Sequence, residues 1–187
     1  GGNACDGKGE FVITEADESD GSFLKLRPEY AVITNIEDDH LDHYGDMDGV
    51  RKAFRTFLTC LRPGGKAFLC ADQSETKLLA AEHPECCVTY GTDASADWQV
   101  KNIRFDGMRT EYELWHDGKL AGNVQLHVPG QHNVLNSAAA IALAQTAGIE
   151  PTVSIAALAA FGGVHRRFEL KGEACGVRII DDYAHHP

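Results

Sequence analysis

Short runs of β-branched and aromatic residues alternate with longer helical patterns along the first half of the chain. The runs are FVITEA (11–16), YAVITNI (30–36), KAFLCA (66–71) and CCVTYG (86–91), and the helical segments are DMDGVRKAFRTFLTCL (46–61) and QSETKLLAAEH (73–83). This alternation predicts a mostly parallel sheet flanked by helices. The continuous apolar character of YAVITNI is typical of a strand covered on both faces.

The pattern changes between Asp97 and Val128. WQVKNIRF, TEYELWH and KLAGNVQLHV, separated by turns at DGM and HDGK, predict antiparallel strands joined by hairpins. Two helices should come next, GQHNVLNSAAAIALAQTAG and PTVSIAALAAF, the second with Pro151 in its first turn. RRFELKG and GVRIIDDYAHHP predict a final hairpin. The predicted fold class is therefore α/β, a mostly parallel sheet flanked by helices with a small antiparallel β patch.

Composition narrows the class of protein. The chain has 187 residues, 43% of them hydrophobic, which is enough for the core of one domain, and no apolar run is long enough for a membrane span. A net charge of −11 without a basic patch argues against nucleic acid or an anionic membrane as partner. The six cysteines lack C-x-x-C spacing, so reduced thiols in a cytoplasmic protein are expected.

The first eleven residues, GGNACDGKGEF, resemble a phosphate loop but lack one of its essential parts. Four residues separate Gly2 from Gly7 and Lys8, as in G-x-x-x-x-G-K-[ST], yet Gly9 stands where a hydroxyl residue must bind Mg²⁺. The next residues have the pattern of a strand, whereas a phosphate loop opens a helix. We interpret this stretch as a Gly-rich turn.

Two predicted strand ends carry side chains suited to a divalent cation. EADESDG contains Glu15, Asp17, Glu18 and Asp20, and NIEDDHLDH contains His40 among several carboxylates. Ligands of α/β sheets bind beyond the carboxyl ends of the strands, and carboxylates suit Mg²⁺. From the residues alone, a pair of solvated acidic loops is an equally good interpretation. An EF-hand does not fit, because Pro28 occupies the position of its bidentate Glu.

Further polar candidates are less distinctive one by one. Asn133 and Asn136 share one face at the start of a predicted helix, where they could bind a base edge, or one of them could cap the helix. Arg166 and Arg167 come after a Gly-Gly turn and could clamp a phosphate or form surface ion pairs. Asp182 comes after a strand, and its carboxylate could accept hydrogen bonds from a ribose.

Several separated motifs together resemble the central domain of the Mur ligases. They are EADESDGSFL, TNIEDDHLDHYGDM, PGQHNVLNSAAA, RRFEL and DDYAHHP. The resemblance implies an ATP-dependent ligase: a muramyl carboxylate takes the γ-phosphoryl group, and an amine then attacks the acyl phosphate. It implies Mg²⁺ ligation by Glu15 and His40, adenine contacts from Asn133 and Asn136, phosphate contact from Arg167, and ribose contact from Asp182. Glu15, His40 and Arg167 would form the catalytic set.

The resemblance is closest to the branch that joins L-alanine to UDP-N-acetylmuramate. Branches that add later residues carry a modified Lys where this sequence has Phe54. The branch that recycles a tripeptide remains an alternative, as do a Mg²⁺-dependent phosphohydrolase and a non-enzymatic acidic interaction module.

The resemblance also implies that the family's phosphate loop lies upstream of this sequence. Residues 1–180 would be an N-terminally incomplete central domain, and residues 181–187 the start of a linker to a C-terminal domain. We therefore expect the chain alone to be inactive. We also expect an exposed sheet edge through which it could self-associate.

Overall fold

A computed structural model of the chain describes residues 7–184, and its main feature is a six-stranded mixed sheet. The strands run in the order β1 to β6 across the sheet; they are β1 (Tyr30–Ile33), β2 (Lys66–Cys70), β3 (Cys87–Gly91), β4 (Trp98–Asp106), β5 (Arg109–His116) and β6 (Lys119–Leu126). The first four are parallel, and β4 to β6 form an antiparallel meander. Both parts of the predicted sheet are confirmed.

Helices cover both faces of the sheet. They are α1 (Leu41–Tyr44), α2 (Met47–Thr59), α3 (Ser74–Glu82), α4 (Gln131–Thr146) and α5 (Pro151–Ala159), and a short 3-10 helix spans Ser22–Lys25. Strand β2 shows the layering, because its side chains alternate between faces. Ala67 and Leu69 pack in the core that includes α2 and α3, whereas Phe68 and Cys70 pack in the core beneath α4. All four are fully buried, as the apolar run predicts.

The prediction of a strand at FVITEA is wrong. Residues 11–18 form no regular element, and Val12 and Ile13 are 93% and 96% exposed. A strand needs a neighbour that accepts its backbone hydrogen bonds, and this segment does not pair with β1, the end strand of the sheet. Phe11 approaches β1 only through its ring, 6.3 Å from that of Tyr30.

The final hairpin is confirmed as β7 (Glu169–Ala174) and β8 (Val177–Asp181). Its apolar side chains are largely exposed, for example Leu170 and Ile179 at 46% and 58%. The end of β8 leads to Asp182, as the sequence predicts. Across residues 7–184 no helix is long and apolar enough to cross a membrane.

The opening Gly-rich stretch lies partly outside the described residues, since Gly2 falls in the range 1–6. Gly7, Lys8 and Gly9 are exposed, and the backbone after them continues as bends and irregular chain. No helix begins within the next ten residues. The described part therefore has the character of a turn.

Candidate functional site

The carboxyl end of β1 leads into a tight turn that fixes His40. His40 has left-handed backbone dihedrals (φ 54°, ψ 35°), a conformation in which His is enriched among non-glycine residues. The Asp39 carboxylate accepts the His40 backbone N–H at 2.8 Å, and the His40 carbonyl accepts the N–H of His43 at 2.9 Å. These contacts fix the backbone at His40, whose imidazole is partly exposed to solvent.

The acidic segment, EADESDG at positions 15–21, is held against α1 by a tyrosine and a histidine. The Tyr44 hydroxyl donates to the backbone carbonyl of Glu18, and burial raises the pKa of Tyr44. Gly21 has a φ of 70°, and a Cβ built there would lie 3.1 Å from His43 Nε2, so a larger residue would crowd this contact. Tyr44 and His43 thereby position a segment that lacks regular structure of its own.

Two aspartates in this segment stabilise its turns. Asp17 Oδ1 accepts the N–H of Ser19, and Asp20 Oδ1 accepts the N–H of Ser22, each at 2.8 Å. Hydrogen bonds to these serines lower the pKa of both carboxyls. Asp17 and Asp20 are therefore partly engaged within the segment, and Glu18 is the carboxylate that reaches His40.

Two carboxylates lie near the same ring nitrogen of His40. His40 Nε2 lies 3.7 Å from Glu18 Oε1 and 3.7 Å from Asp39 Oδ2. Glu15 is exposed and does not come after a strand, contrary to the sequence expectation, because the segment before it forms no strand. Sequence reasoning did not select Glu18, since only the turn geometry distinguishes one carboxylate among four. Assignment of Glu15 and His40 to one cation stays a prediction.

The donor set suits a hydrated Mg²⁺. Within residues 7–184 no group of three or more His, Cys, Asp or Glu is arranged to hold a metal. Mg²⁺ does not require such a cage, because it is usually bound through one or two carboxylates plus water and substrate phosphates. The half-exposed side chains of Glu18, Asp39 and His40 leave room for those additional ligands.

Asp72 connects the carboxyl ends of β2 and β3 through hydrogen bonds. Its carboxylate lies just after β2 and accepts hydrogen bonds from the Thr92 N–H and hydroxyl and from the Asp93 N–H, at 2.7 to 2.9 Å. A Cβ at Gly91, the last residue of β3, would lie 2.3 Å from Asp72 Oδ1. Asp72 therefore joins the residues that follow β2 to those that follow β3.

The start of α4 carries the two candidate asparagines. Gly130 is the N-cap residue and no side chain caps the helix, so the alternative role of an asparagine as N-cap is wrong. Asn133 Nδ2 instead donates to the Pro129 carbonyl at 2.6 Å, and Asn133 is half-buried. Asn136 is exposed and available to a ligand.

The loop that carries Arg167 is constrained by its backbone. Arg166 and Phe168, on either side of Arg167, have positive φ values of 62° and 48°. The Asp182 carboxylate accepts the Phe168 N–H at 2.7 Å, and the Arg166 guanidinium lies over the Tyr183 ring at 4.9 Å. Arg166 therefore stacks on an aromatic ring, while Arg167 is exposed.

Glu169 completes this loop. Its carboxylate accepts the Arg166 N–H at 2.9 Å and lies 2.9 Å from Lys171 Nζ, and these contacts, with His165, lower its pKa to about 2. A Cβ built at Gly163 would lie 3.1 Å from Val128 Cγ1, so the chain before this loop passes close to residue 128. Arg167 and Asp182 belong to one loop cluster, because the Asp182 carboxylate accepts the N–H of Phe168, the residue after Arg167.

Phe54 belongs to the hydrophobic core. It is 9% exposed, and its ring centroid lies 5.4 Å from that of Phe23. The Phe54 side chain on α2 packs in the core and cannot serve as a metal ligand.

The model of the Mur ligase middle domain matches residues 2–144. The chain belongs to the Mur ligase family. The match includes β1, the acidic segment and the start of α4, so the sequence resemblance is confirmed across most of the candidate site.

Proteins named UDP-N-acetylmuramate–L-alanine ligase are similar to this Mur ligase chain over its whole length. Those from Magnetococcus marinus and Pelotomaculum thermopropionicum are 46% and 45% identical to it, with all of this chain and 41% of each protein covered. The chain thus spans less than half the length of the relatives it matches.

Solved structures show the same fold. The UDP-N-acetylmuramate–alanine ligase MurC from Thermotoga maritima has a TM-score of 0.78 at 31% identity, with 91% of this chain and 38% of that chain covered. A UDP-N-acetylmuramate:L-alanyl-γ-D-glutamyl-meso-diaminopimelate ligase from Neisseria meningitides has a TM-score of 0.65 at 27% identity, covering 77% and 43%. MurF from Thermotoga maritima, solved in complex with ADP, has a TM-score of 0.70 at 24% identity, covering 86% and 37%.

Proposed function

We propose that this chain is the central, ATP-handling domain of a ligase that joins L-alanine to UDP-N-acetylmuramate during the synthesis of peptidoglycan precursors. The observation that carries the proposal is the 46% identity to a UDP-N-acetylmuramate–L-alanine ligase over the entire chain. The reaction would pass through an acyl phosphate: the muramyl carboxylate takes the γ-phosphoryl group of ATP, and the amine of alanine displaces phosphate to form the amide.

The acidic edge beside β1 is the proposed place of the metal. Glu15 and His40 would hold Mg²⁺, with Glu18 and Asp39 close to the imidazole at 3.7 Å. Bound there, the cation would neutralise phosphate charge, which is the main requirement of phosphoryl transfer. This requirement is acute in a protein with a net charge of −11, because its surface repels a triphosphate.

The start of α4 and the loop cluster of Arg167 and Asp182 together are the proposed place of the nucleotide. The exposed amide of Asn136 and the half-buried amide of Asn133 would contact adenine. The Arg167 guanidinium would contact the terminal phosphate, and Asp182 would accept hydrogen bonds from the ribose. That a protein of the same fold was solved with ADP supports the choice of an adenine nucleotide.

A tripeptide-recycling ligase is the nearest alternative. The Neisseria structure of that specificity is less similar to this chain than the Thermotoga MurC structure, in both TM-score and identity. The comparison favours the alanine-adding activity. A ligase releases ADP only when its acceptor substrates are present. A phosphohydrolase releases ADP without them, and an acidic interaction module releases none.

Release of ADP by a longer protein that contains this chain tests the proposal. ADP should appear only when ATP, UDP-N-acetylmuramate and L-alanine are all present. Release driven by L-alanyl-γ-D-glutamyl-meso-diaminopimelate in place of alanine would indicate the recycling ligase. Release that needs neither acceptor would indicate a phosphohydrolase, and no release under any condition would favour an interaction module.

Variants of the same protein test the metal residues. Glu15→Gln and His40→Asn should each lower kcat by about 10²-fold or more, the usual cost of removing one electrostatic stabiliser of the transition state. Glu10→Gln is the matched control, because Glu10 lies in the same exposed segment and should leave kcat unchanged. Equal activity of Glu15→Gln and Glu10→Gln would refute the role of Glu15.

Two further expectations belong to this proposal. The 187-residue chain by itself should release no ADP, because it contains no G-x-x-x-x-G-K-[ST] phosphate loop. The protein should act in the bacterial cytoplasm, where ATP and its substrates are present, and the free edge of β1 offers a surface for self-association.

A further inference from the structure

Two adjacent cysteines at the start of β3 bring their sulfur atoms together. The Sγ atoms of Cys86 and Cys87 lie 4.0 Å apart, and both residues are half-exposed. The remaining cysteines of the described chain do not form such a pair: Cys60 and Cys70 are buried, and Cys175 lies at the hairpin turn. The pair lies at the amino end of β3, whereas the candidate site lies at the carboxyl end of β1.

The backbone around the pair is fixed by hydrogen bonds. The Cys86 carbonyl accepts the Ala67 N–H at 2.8 Å, and the His83 carbonyl accepts the N–H groups of Cys86 and Cys87 at 3.2 and 3.1 Å. Cys87 is also in register with Ala67 in the parallel pairing of β2 and β3. The two sulfur atoms are therefore held near each other by the sheet and do not depend on a mobile loop.

A direct disulfide is a poor outcome for these two thiols. Consecutive Cα atoms are about 3.8 Å apart, below the usual lower limit of about 4.4 Å for a disulfide. The sulfurs would also need to approach from 4.0 Å to about 2.05 Å. A single atom that bridges both sulfurs fits better: two bonds of about 2.3 Å place the sulfurs roughly 3.3 Å apart near a right angle and roughly 3.8 Å apart at the tetrahedral angle, both much closer to 4.0 Å than a disulfide bond is.

The chemistry of the pair favours a bridging atom that needs two thiols and no other protein ligand. Within the described residues, no third His, Cys, Asp or Glu completes a metal-binding group around Cys86 and Cys87. Burial raises the pKa of the Cys86 thiol, and it raises that of Cys87 to about 12. A metal cation must displace both thiol protons, so these thiols resist it.

We propose that Cys86 and Cys87 form a dithiol site for trivalent organic arsenicals. In the reaction R–As=O + 2 R′SH → R–As(SR′)₂ + H₂O, two As–S bonds form and the arsenic–oxygen bonds break. Both thiol protons leave with the oxygen as water, and no atom changes oxidation state. Because no proton is released to solvent, protonated thiols do not oppose the product.

Phenylarsine oxide is the probe for this site. One adduct per chain should appear by mass spectrometry, and its mass should equal that of the chain plus the arsenical minus one water, which shows that two thiols have reacted. The dithiol 2,3-dimercaptopropanol should reverse the adduct. Cys86→Ser and Cys87→Ser should each weaken binding by about 10²-fold, since the second sulfur then no longer acts at a high effective concentration.

Cys175→Ser is the control, because Cys175 is an exposed thiol outside the pair and its loss should leave the adduct intact. Thermal melts of the two serine variants show whether they are folded, and the wild-type adduct with its loss of one water tests the site without any variant. Absence of an adduct on folded wild type would overturn the proposal. Binding that survives Cys86→Ser unchanged, or that requires Cys175, would overturn it as well.

Discussion

A buried hydrogen bond joins β5 to α4. Because of it, one substitution should destabilise the wild-type protein but stabilise a variant that lacks the partner residue. Tyr112 and Ser137 are 2% and 5% exposed, and their hydroxyl oxygens lie 2.7 Å apart. Ser137 Oγ also donates to the Val134 carbonyl at 2.8 Å. A serine hydroxyl has one proton, so Tyr112 must be the donor to Ser137. Burial raises the pKa of Tyr112, which keeps the phenol protonated at neutral pH.

The two single variants should differ in cost. Ser137→Ala leaves the buried Tyr112 hydroxyl without its acceptor, which costs about 2 kcal/mol, in the range for an orphaned polar group. Tyr112→Phe removes the donor but leaves Ser137 bonded to Val134, which costs about 1 kcal/mol, the net value of one hydrogen bond. The double variant orphans no group and should cost about 1 kcal/mol. Tyr112→Phe therefore destabilises the wild type and stabilises Ser137→Ala.

Equilibrium urea denaturation of the four proteins measures this cycle. The free energies of unfolding are comparable if the m-values agree, which shows that each variant exposes the same surface on unfolding. The double variant should be more stable than Ser137→Ala by about 1 kcal/mol. If the double variant is instead less stable than Ser137→Ala, the assigned donor and acceptor are wrong. Because α4 carries Asn133 and Asn136, the same contact anchors the proposed nucleotide site.

Three further predictions concern the acidic segment, the arginine loop and the sheet edge. Tyr44→Phe should free the segment around Glu18 at a cost of about 1 kcal/mol, seen as faster amide hydrogen exchange there, and unchanged exchange would refute the role of Tyr44. The pKa of Glu169 is about 2 in the folded protein against an ordinary 4.5, so its contact with the Arg166 N–H should stabilise the loop above pH 4.5 and be lost as the pH falls toward 2. Proton NMR of the Arg166 amide should report this loss. An amide signal that stays constant over that pH range would contradict it. Val32→Lys on the open edge of β1 should reduce self-association in sedimentation experiments, because a charge blocks strand addition, and an unchanged sedimentation coefficient would exclude this edge as the contact.

The sequence predicted those elements whose pattern is reinforced by neighbours. Strand β2 reads as an apolar run because both of its faces are covered, and the hairpins of the meander are encoded by their glycine turns. FVITEA has an equally good local pattern, yet it forms no strand. The difference is that a strand requires a partner for its backbone groups, and local propensity contains no information about a partner.

The candidate site, like the fold, was only partly predictable from the sequence. The sequence identified His40 and a nearby group of carboxylates, because residue type and order are sufficient for that. It could not predict that Glu18 is the one beside the imidazole, since this depends on the left-handed backbone at His40 and on the Tyr44 contact to the Glu18 carbonyl. It also proposed an asparagine as helix cap, although Gly130 takes that position and Asn133 bonds to Pro129.

Transfer of labelled oxygen tests the proposed ligase most directly. UDP-N-acetylmuramate labelled with ¹⁸O in its carboxylate is incubated with ATP, L-alanine and a longer protein containing this chain, and the inorganic phosphate is analysed by mass spectrometry. An acyl phosphate requires that one carboxylate oxygen leave with phosphate, so labelled phosphate should form in equal amount to the UDP-N-acetylmuramoyl-L-alanine. Unlabelled phosphate, with its new oxygen drawn from water, would contradict it and would identify a hydrolase.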